Sequence, residues 1–342
     1  MTRPARPTIE DVAARSGVSV ATVSRTLRGL PNVAPGTRER VLGIADEMSY
    51  RPDPHASRLA RGRTQTIGIA VPRINTWYYA QVLAGVQSVL EANDYDLLVV
   101  TVGDESHRNA FAASAVTQSK RVDGMILADL FFSEDQLGKI VASGLQAVCL
   151  GMASQFFDSI TIDNVAGGEL ATRHLLNLGH RRIAMITGVE VSAGNFTASA
   201  DRRNGYRNAM ETAGLKVDLA LIADGGDTIE GAEHSMVRLL AETDPPTAVF
   251  AHSDEMAMGA MRAVRGHTLR IPQDFSVVGF DDHQLSEVLG LTTIHQDVLA
   301  MAAAAAKRVL ERLEDPDQPV SSSDSPVQLI KRSSTSGLSR SS

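Results

Sequence analysis

The 342-residue chain has a single cysteine, Cys149, so it has no internal disulfide framework. Such scarcity fits a reducing compartment. No apolar run approaches the roughly 20 residues a membrane helix needs, and no membrane partner is expected. The start of the chain lacks a basic stretch followed by an apolar run and a small-residue cleavage site, so no secretory signal is read and a cytoplasmic protein is expected. Enzyme fingerprints are missing as well. No G-x-G-x-x-G follows a strand and no G-x-x-x-x-G-K-[ST] occurs, which removes the dinucleotide and P-loop signatures. There is no G-x-S-x-G elbow. No two histidines stand four apart, and Cys149 has no cysteine partner to complete a metal site, so neither metal nor cofactor is expected. The serine-rich tail, 333–342, has no heptad pattern, which argues against a tetramerising coiled coil and reads as disordered.

What is present is globular. Hydrophobic residues make up 43% and charged residues 21%, within the range of soluble domains, and the length suits two or three units. The net charge of −7 conceals a split: residues 1–63 hold eleven arginines, no lysine and six acids, a formal +5, against −12 in the remainder. A basic head on an acidic body suits a head that meets a polyanion.

Three short helices are expected in that head. Thr8 can cap a helix starting at Ile9, with Asp11 placed for a capping box and Ile9, Val12 and Ala13 on one face. Gly17 stops it. Ser19 caps a second helix in "VSVATVSRTLRG", where Val23 and Leu27 share one side while Ala21, Arg25 and Arg28 point the other way. The polar residues of this stretch are Ser19, Thr22, Ser24, Arg25, Thr26 and Arg28, with no acid among them. A third helix starts at Pro35 and carries Val41, Ile44, Ala45 and Met48. Two faces and a short glycine turn make a helix-turn-helix. An acid-free outer face can approach DNA: Arg25 suits a guanine edge, Val20 and Ala21 suit thymine methyls, and Ser19 and Thr22 suit phosphates.

The run "TIEDVAARSGVSVATVSRTLRGLPNVAPGTRERVLGIADEMSYRPDPHASRLARGRTQTIGI" carries T-x-x-D-V-A, G-V-S, T-V-S-R, N-V, T-R-E-R-V and Y-R-P in order, then A-x-x-L. It closely resembles the head and hinge of the lac-repressor (LacI/GalR) family of bacterial transcription regulators. Ser24, Asn32 and Tyr50 from the matched motifs, and Arg28 from the outer face of the second helix, complete the DNA-contact set. In the hinge, Asp53 and Pro54 read as cap and first position of a helix too short to be stable alone. The resemblance implies that this helix pairs with its twin and enters the minor groove, with Leu59 as the wedge and Ala56 one turn earlier. The family commonly has Asn where Asp53 stands, so Asp53 is kept as a cap only.

From Thr64 onward, strand candidates at 67–71, 97–102, 124–128, 147–150, 182–187, 247–251 and 275–280 alternate with helical patterns at 79–93, 168–178, 200–213, 232–242 and 253–265. Alternation of this kind predicts parallel α/β sheets in a two-lobed clamp. The resemblance continues through "IDNVAGGELATRHLLNLGHRRIAMITG", "ADRRNGYRNAMETAGL", "PTAVFAHSDEMAMGAMRAV" and "IPQDFSVVGFDD…LTTIHQD". The fold class is therefore α/β: an all-α helix-turn-helix head on a two-lobed parallel-sheet body resembling periplasmic sugar-binding proteins. The expected divisions are head 1–51, hinge 52–63 and effector-binding and dimerisation domain 64–332. Lobe one is expected to hold 64–163 and 293–320, and lobe two 164–292 and 321–332.

The resemblance implies a small-molecule effector between the lobes, contacted by Tyr78, Tyr79, Asp163, Arg202, Ser253, Asp281 and Gln296. Arg202 comes from R-x-x-G-Y and Asp281 from G-F-D-D. His180 in "LGHRR" reads as structural. Two departures bear on the ligand: Gly226 stands where many relatives place a stacking aromatic, and Gly290 replaces the usual Pro before "LTTI". A sugar or sugar derivative is the expected effector class. The implied protein is a homodimeric repressor on a palindromic DNA operator, its interface built by 253–265 and residues around 285–289. Inducer and co-repressor fit equally. The rival readings are an enzyme on the same body, which the missing fingerprints disfavour, and a transport-type solute-binding protein, which the basic head disfavours.

Overall fold

A computed structural model describes residues 7–50, 63–188 and 197–338. The chain divides into two compact units, Met1–Thr64 and Gln65–Ser342. The expectations for Asp53, Ala56 and Leu59 lie outside the described residues.

In the first unit, α1 (Ile9–Ser16) opens on the expected capping box: Thr8 N donates to Asp11 Oδ2 at 2.8 Å and Asp11 N donates back to Thr8 Oγ1 at 3.3 Å. Such reciprocal bonding satisfies two of the free N–H groups that every helix start exposes. Gly17, at φ +67°, ends the helix in the left-handed region. Ser19 then caps α2 (Val20–Leu27), accepting from Thr22 N at 3.2 Å. α3 (Pro35–Glu47) starts on its proline. Val12, Ala13, Val23, Val41, Ala45 and Tyr50 form the small core. Arg38 on α3 donates through Nη2 to Leu30 O at 2.5 Å, tying that helix to the segment leaving α2.

The second unit holds two six-stranded sheets. The first is built from β1 (Thr66–Val71), β2 (Asp96–Thr101), β3 (Gly124–Ala128), β4 (Gln146–Leu150), β5 (Asp158–Ile162) and β11 (Ser322–Ser325), in spatial order 11-5-4-3-1-2. The second is built from β6 (Ile183–Thr187), β7 (Ile222–Asp224), β8 (Ala248–Ala251), β9 (Ser276–Asp281), β10 (Thr292–His295) and β12 (Gln328–Ile330), in order 12-10-9-8-6-7. Every pairing is parallel except that of β10 with β12. Central strands such as β3 and β6 are buried along their whole length, which is why they read as continuous apolar runs. All seven strand candidates are present.

The helices are α4 (Trp77–Glu91), α5 (Glu105–Ala113), α6 (Ala115–Gln118), α7 (Glu134–Ala142), α8 (Asn164–Asn177), α9 (Thr197–Thr212), α10 (Ile229–Leu240), α11 (Asp254–Gly266), α12 (Gln284–Leu289) and α13 (Val298–Glu314). The alanine run at 302–306 serves close packing. Ala302, Ala305 and Ala306 are buried on α13, where their small size lets it pack closely against α4.

Three expected boundaries are corrected. Residues 293–295 belong to the second sheet, because β10 pairs with β9. Residues 322–325, expected in lobe two, form β11 and pair with β5 in the first sheet. The chain thus passes between the sheets three times, before α8, after β10 and between β11 and β12. Residues 333–338 of the supposed disordered tail are docked on the second sheet. Val277 N donates to Ser334 O at 2.9 Å, Ser334 Oγ to Val277 O at 2.6 Å, and Leu338 N to Leu178 O at 3.2 Å. Serine hydroxyls do here what strand backbone does elsewhere.

Candidate functional site

The outer face of α2 keeps its predicted character. Ser19, Val20, Ala21, Arg25, Arg28 and Asn32 are exposed, while Thr22 and Ser24 are half-buried. Neither Arg25 nor Arg28 meets a carboxylate of the described residues, so both guanidiniums keep their donors for an outside partner. Two residues depart from expectation. Thr26 turns inward and donates its hydroxyl to Thr22 O at 2.9 Å, so it leaves the outer hydroxyl row. Tyr50, placed among the DNA contacts, is 9% exposed and packs in the core, because its aromatic bulk closes the bottom of a very small hydrophobic cluster.

In the second unit a cleft opens between the carboxyl ends of the two sheets, where open parallel sheets hold ligands. Its empty volume is about 800 Å3, counting the open mouth. Tyr78, Tyr79, Arg202, Ser253, Asp281 and Gln296 all line it. Thr76 caps α4 and so aims Tyr78 and Tyr79 inward, their rings edge to face at 5.1 Å. Burial, reinforced by Asp129, raises both phenols, which therefore stay neutral donors.

Arg202 projects from α9 into the centre. It is 5% exposed. Its Nε donates to Asn164 Oδ1 at 2.8 Å and its Nη1 to His252 O at 2.7 Å. The guanidinium carbon lies 3.4 Å from the ring centre of Phe280, a cation–π contact in a dry setting. Asp281 Oδ1 is 3.9 Å from Nη1 and accepts from Gln296 Nε2 at 2.7 Å. Asp281 ends β9 at φ +112°, a strained angle for a residue with a side chain. Burial pushes its carboxyl up to about 8, with Arg202 opposing the rise.

Nearby, buried Asp254 ties three elements together. It accepts from His283 N, Ser286 Oγ and Thr293 Oγ1 at 2.7, 2.6 and 2.6 Å, so α11, α12 and β10 are fixed to one carboxylate.

Asp163 is the exception among the expected cleft residues. It is exposed and caps α8, accepting from Ala166 N at 2.8 Å, because a helix start needs that acceptor. The next residue of "IDN", Asn164, is the one that reaches Arg202. Ser253 lines the cleft, but its hydroxyl already caps α11. Sequence reasoning missed Arg73, Asp129, Ser199, Asp227, His252 and Glu255. Asp129 and His252 directly follow β3 and β8, so the strand-end rule alone would have found them. The Arg73–Asp227 pair, at 2.6 Å, joins loops 154 residues apart and left no local signal. His180 is structural as read: it is buried and bonds Thr247, Ser276 and Ser336. Among the described residues no cluster of His, Cys, Asp and Glu could hold a metal, and no helix is long and apolar enough to cross a membrane.

Known families and structures match along most of the chain. A model of bacterial regulatory proteins of the lacI family matches residues 8–53, and a model of a periplasmic binding protein-like domain matches 172–335. The HTH-type transcriptional regulator DegA of Bacillus subtilis (strain 168) is 32% identical over 305 residues, 87% of this chain and 89% of DegA. The ribose operon repressor of Haemophilus influenzae is 33% identical over 317 residues, 91% of this chain and 93% of that one. Among solved structures, the lac repressor dimer bound to operator and the anti-inducer ONPF matches with a TM-score of 0.83 at 27% identity, covering 97% of this chain and 100% of that one. The complex of the regulator CelR with cellobiose matches with a TM-score of 0.70 at 30% identity, covering 96% and 100%. An acid-free helix face on a helix-turn-helix unit, a ligand-sized cleft between two parallel sheets and this degree of likeness along the chain lead to one conclusion: the protein belongs to the LacI family of bacterial DNA-binding transcription regulators.

Proposed function

We propose that this chain is a homodimeric repressor that acts on the nucleoid in the cytoplasm and whose operator affinity is set by a small, sugar-like effector in the cleft of its second unit. The observation that carries the effector half is the buried set of Arg202, Asn164, Asp281 and Gln296. Donors and acceptors alternate across one cavity there, as vicinal hydroxyls require. The relatives named for ribose and cellobiose support the same class. The acid-free face of α2 supports the DNA half: Arg25 reads a guanine edge, Val20 and Ala21 meet thymine methyls, and Ser19, Thr22, Ser24, Arg28 and Asn32 hold phosphates. Ala56 and Leu59 form the minor-groove wedge of this reading.

A two-fold dimer presents two such faces to half-sites about one helical turn apart. The effector acts by binding one arrangement of the lobes better than the other, and a coupling of about 1–3 kcal/mol is typical of such systems. The test is selection of duplexes from a random pool by the full chain, then anisotropy titration of the winner with and without sugars. The reading expects a palindrome with half-sites about 10 base pairs apart and a Kd that shifts with one sugar. No preferred duplex at any salt concentration would refute the DNA half. A preferred duplex that no small polyol affects would refute the effector half.

A further inference from the structure

Six charged side chains line the cleft, two guanidiniums (Arg73, Arg202) against four carboxylates (Asp129, Asp227, Glu255, Asp281). Arg73 is taken by Asp227 at 2.6 Å, and Arg202 faces Asp281. No cationic side chain of the described residues lies within ion-pair distance of Asp129 or Glu255. Glu255 sits in the first turn of α11, where the helix dipole and the backbone N–H of Trp77 compensate it. Asp129 has no cation in contact and is relieved only by the hydroxyls of Tyr78 and Tyr79 and by the more distant Arg202 and Arg73. Its Oδ2 is buried and without a hydrogen-bond partner.

The fold holds that carboxylate in place deliberately. Asp129 follows β3 with its N–H on Leu150 O at 2.8 Å and its backbone at φ +49°. Its Oδ1 lies where the Cβ of any residue but glycine at position 151 would stand, only 1.9 Å away, and Gly151 is itself at φ +83°. Oδ1 is therefore packed against the Gly151 backbone, and the carboxylate lines the cavity beside the hydroxyls of Tyr78 and Tyr79. Leaving a buried carboxylate oxygen unmet is costly unless a ligand meets it.

We propose that the effector carries a protonated amine seated on the Asp129 carboxylate, beside the hydroxyls of Tyr78 and Tyr79, which makes it an amino sugar or an aminated polyol. This rests on the cleft being the effector site. With Asp281 raised to about 8 and so largely protonated, Asp129, Asp227 and Glu255 still outnumber the two guanidiniums, which disfavours a sugar phosphate. A neutral sugar hydroxyl gives Asp129 a hydrogen bond but no counter-charge, and a charge-assisted bond is about twice as strong. Burial lifts the Asp129 carboxyl to about 6, with the tyrosine hydroxyls and both guanidiniums opposing, so it is mostly ionised at neutral pH and ready to pair.

The experiment is calorimetric titration of the full chain at pH 7.5 with matched pairs: glucosamine against glucose, galactosamine against galactose, and glucose 6-phosphate and N-acetylglucosamine as controls. At least one amine should bind about tenfold or more tighter than its neutral parent, and acetylation should abolish the advantage. Asp129→Asn should erase the preference, bringing the amine's affinity down to that of its neutral parent in the same variant. The wild-type comparison stands by itself if that variant fails to fold. Neutral sugars or the phosphate binding as tightly as the amines, through a site destroyed by Arg202→Ala, would overturn the amine assignment and leave the cleft reading intact. Absence of binding by every compound would overturn both.

Discussion

Replacing Gly205 by alanine tests how the fold sets the depth of Arg202. Gly205 lies one turn after Arg202 on α9, at its crossing with α8. A Cβ there would stand 2.1 Å from Val165 O and 2.8 Å from Glu169 N. The reciprocal position, Gly168, would meet Arg202 O at 2.3 Å. These obstacles are backbone atoms, so no rotamer change relieves them and the helices must separate by about 1 Å to restore normal contact. Overpacking of this kind costs about 1–3 kcal/mol, here at the upper end, while alanine recovers about 1 kcal/mol through helix propensity. The net loss is about 2 kcal/mol, a fall in Tm of about 4–8 °C at roughly 2–4 °C per kcal/mol for a unit of this size. The functional effect is larger than the stability effect. A retreat of about 1 Å stretches the 2.8 and 2.7 Å bonds from Arg202 to Asn164 and His252 beyond useful length. Scanning calorimetry with effector-dependent operator anisotropy reads both. The variant should melt early, bind operator normally and respond to effector at least about tenfold more weakly. An unchanged Tm together with an unchanged response would show that the close α8–α9 crossing does not position Arg202.

Arg25→Ala should weaken binding to the selected operator by about 1–3 kcal/mol and leave binding to random duplex nearly constant; equal losses on both would place Arg25 on phosphate instead of a base. Asp281→Asn should reduce a pH effect of defined sign. A carboxyl raised to about 8 in the folded state binds more protons than in the unfolded chain, so its contribution to stability is lost as pH rises through 8. Wild type should therefore lose Tm between pH 6.5 and 8.5, the variant should lose less, and identical slopes would mean Asp281 does not titrate in that window. Arg312→Met should destabilise the second unit by about 3–5 kcal/mol, because Asp158, paired with it at 2.5 and 3.0 Å, is left buried and charged. Adding Asp158→Asn should recover part of the loss in urea denaturation, and no recovery would assign the cost to packing alone.

Much of the fold is local enough to read from residues in a line. Thr8 and Asp11 are three apart and bond each other, and Ser19 and Thr22 do the same. "GMILA" is a strand whatever surrounds it, because a run buried on both faces has few other uses. β11 is the opposite case. "SSDS" is polar and exposed, and it is a strand only because β5 offers an open edge and Arg312 holds the preceding turn by donating to Pro319 O at 2.8 Å. The docked tail is similar: its serines are ordered by Val277, Ser276 and Leu178, all distant in sequence. The exchange of Asp163 for Asn164 has a helical cause, since the residue that caps α8 cannot also turn into the cleft.

The resemblance to the LacI family implied that Arg202 and Asp281 share one site, and sequence alone was enough to determine the head, its acid-free outer face and the two-sheet plan. These depend on spacing and side-chain chemistry along short segments. Only the tertiary structure decided which carboxylates are paired. Arg73 meets Asp227 and Arg202 reaches His252 across long stretches of chain, and the oxygen of Asp129 is left unmet. The physical reason is that the energy of a buried charge is set by the neighbours that burial assembles, and no segment carries those neighbours with it.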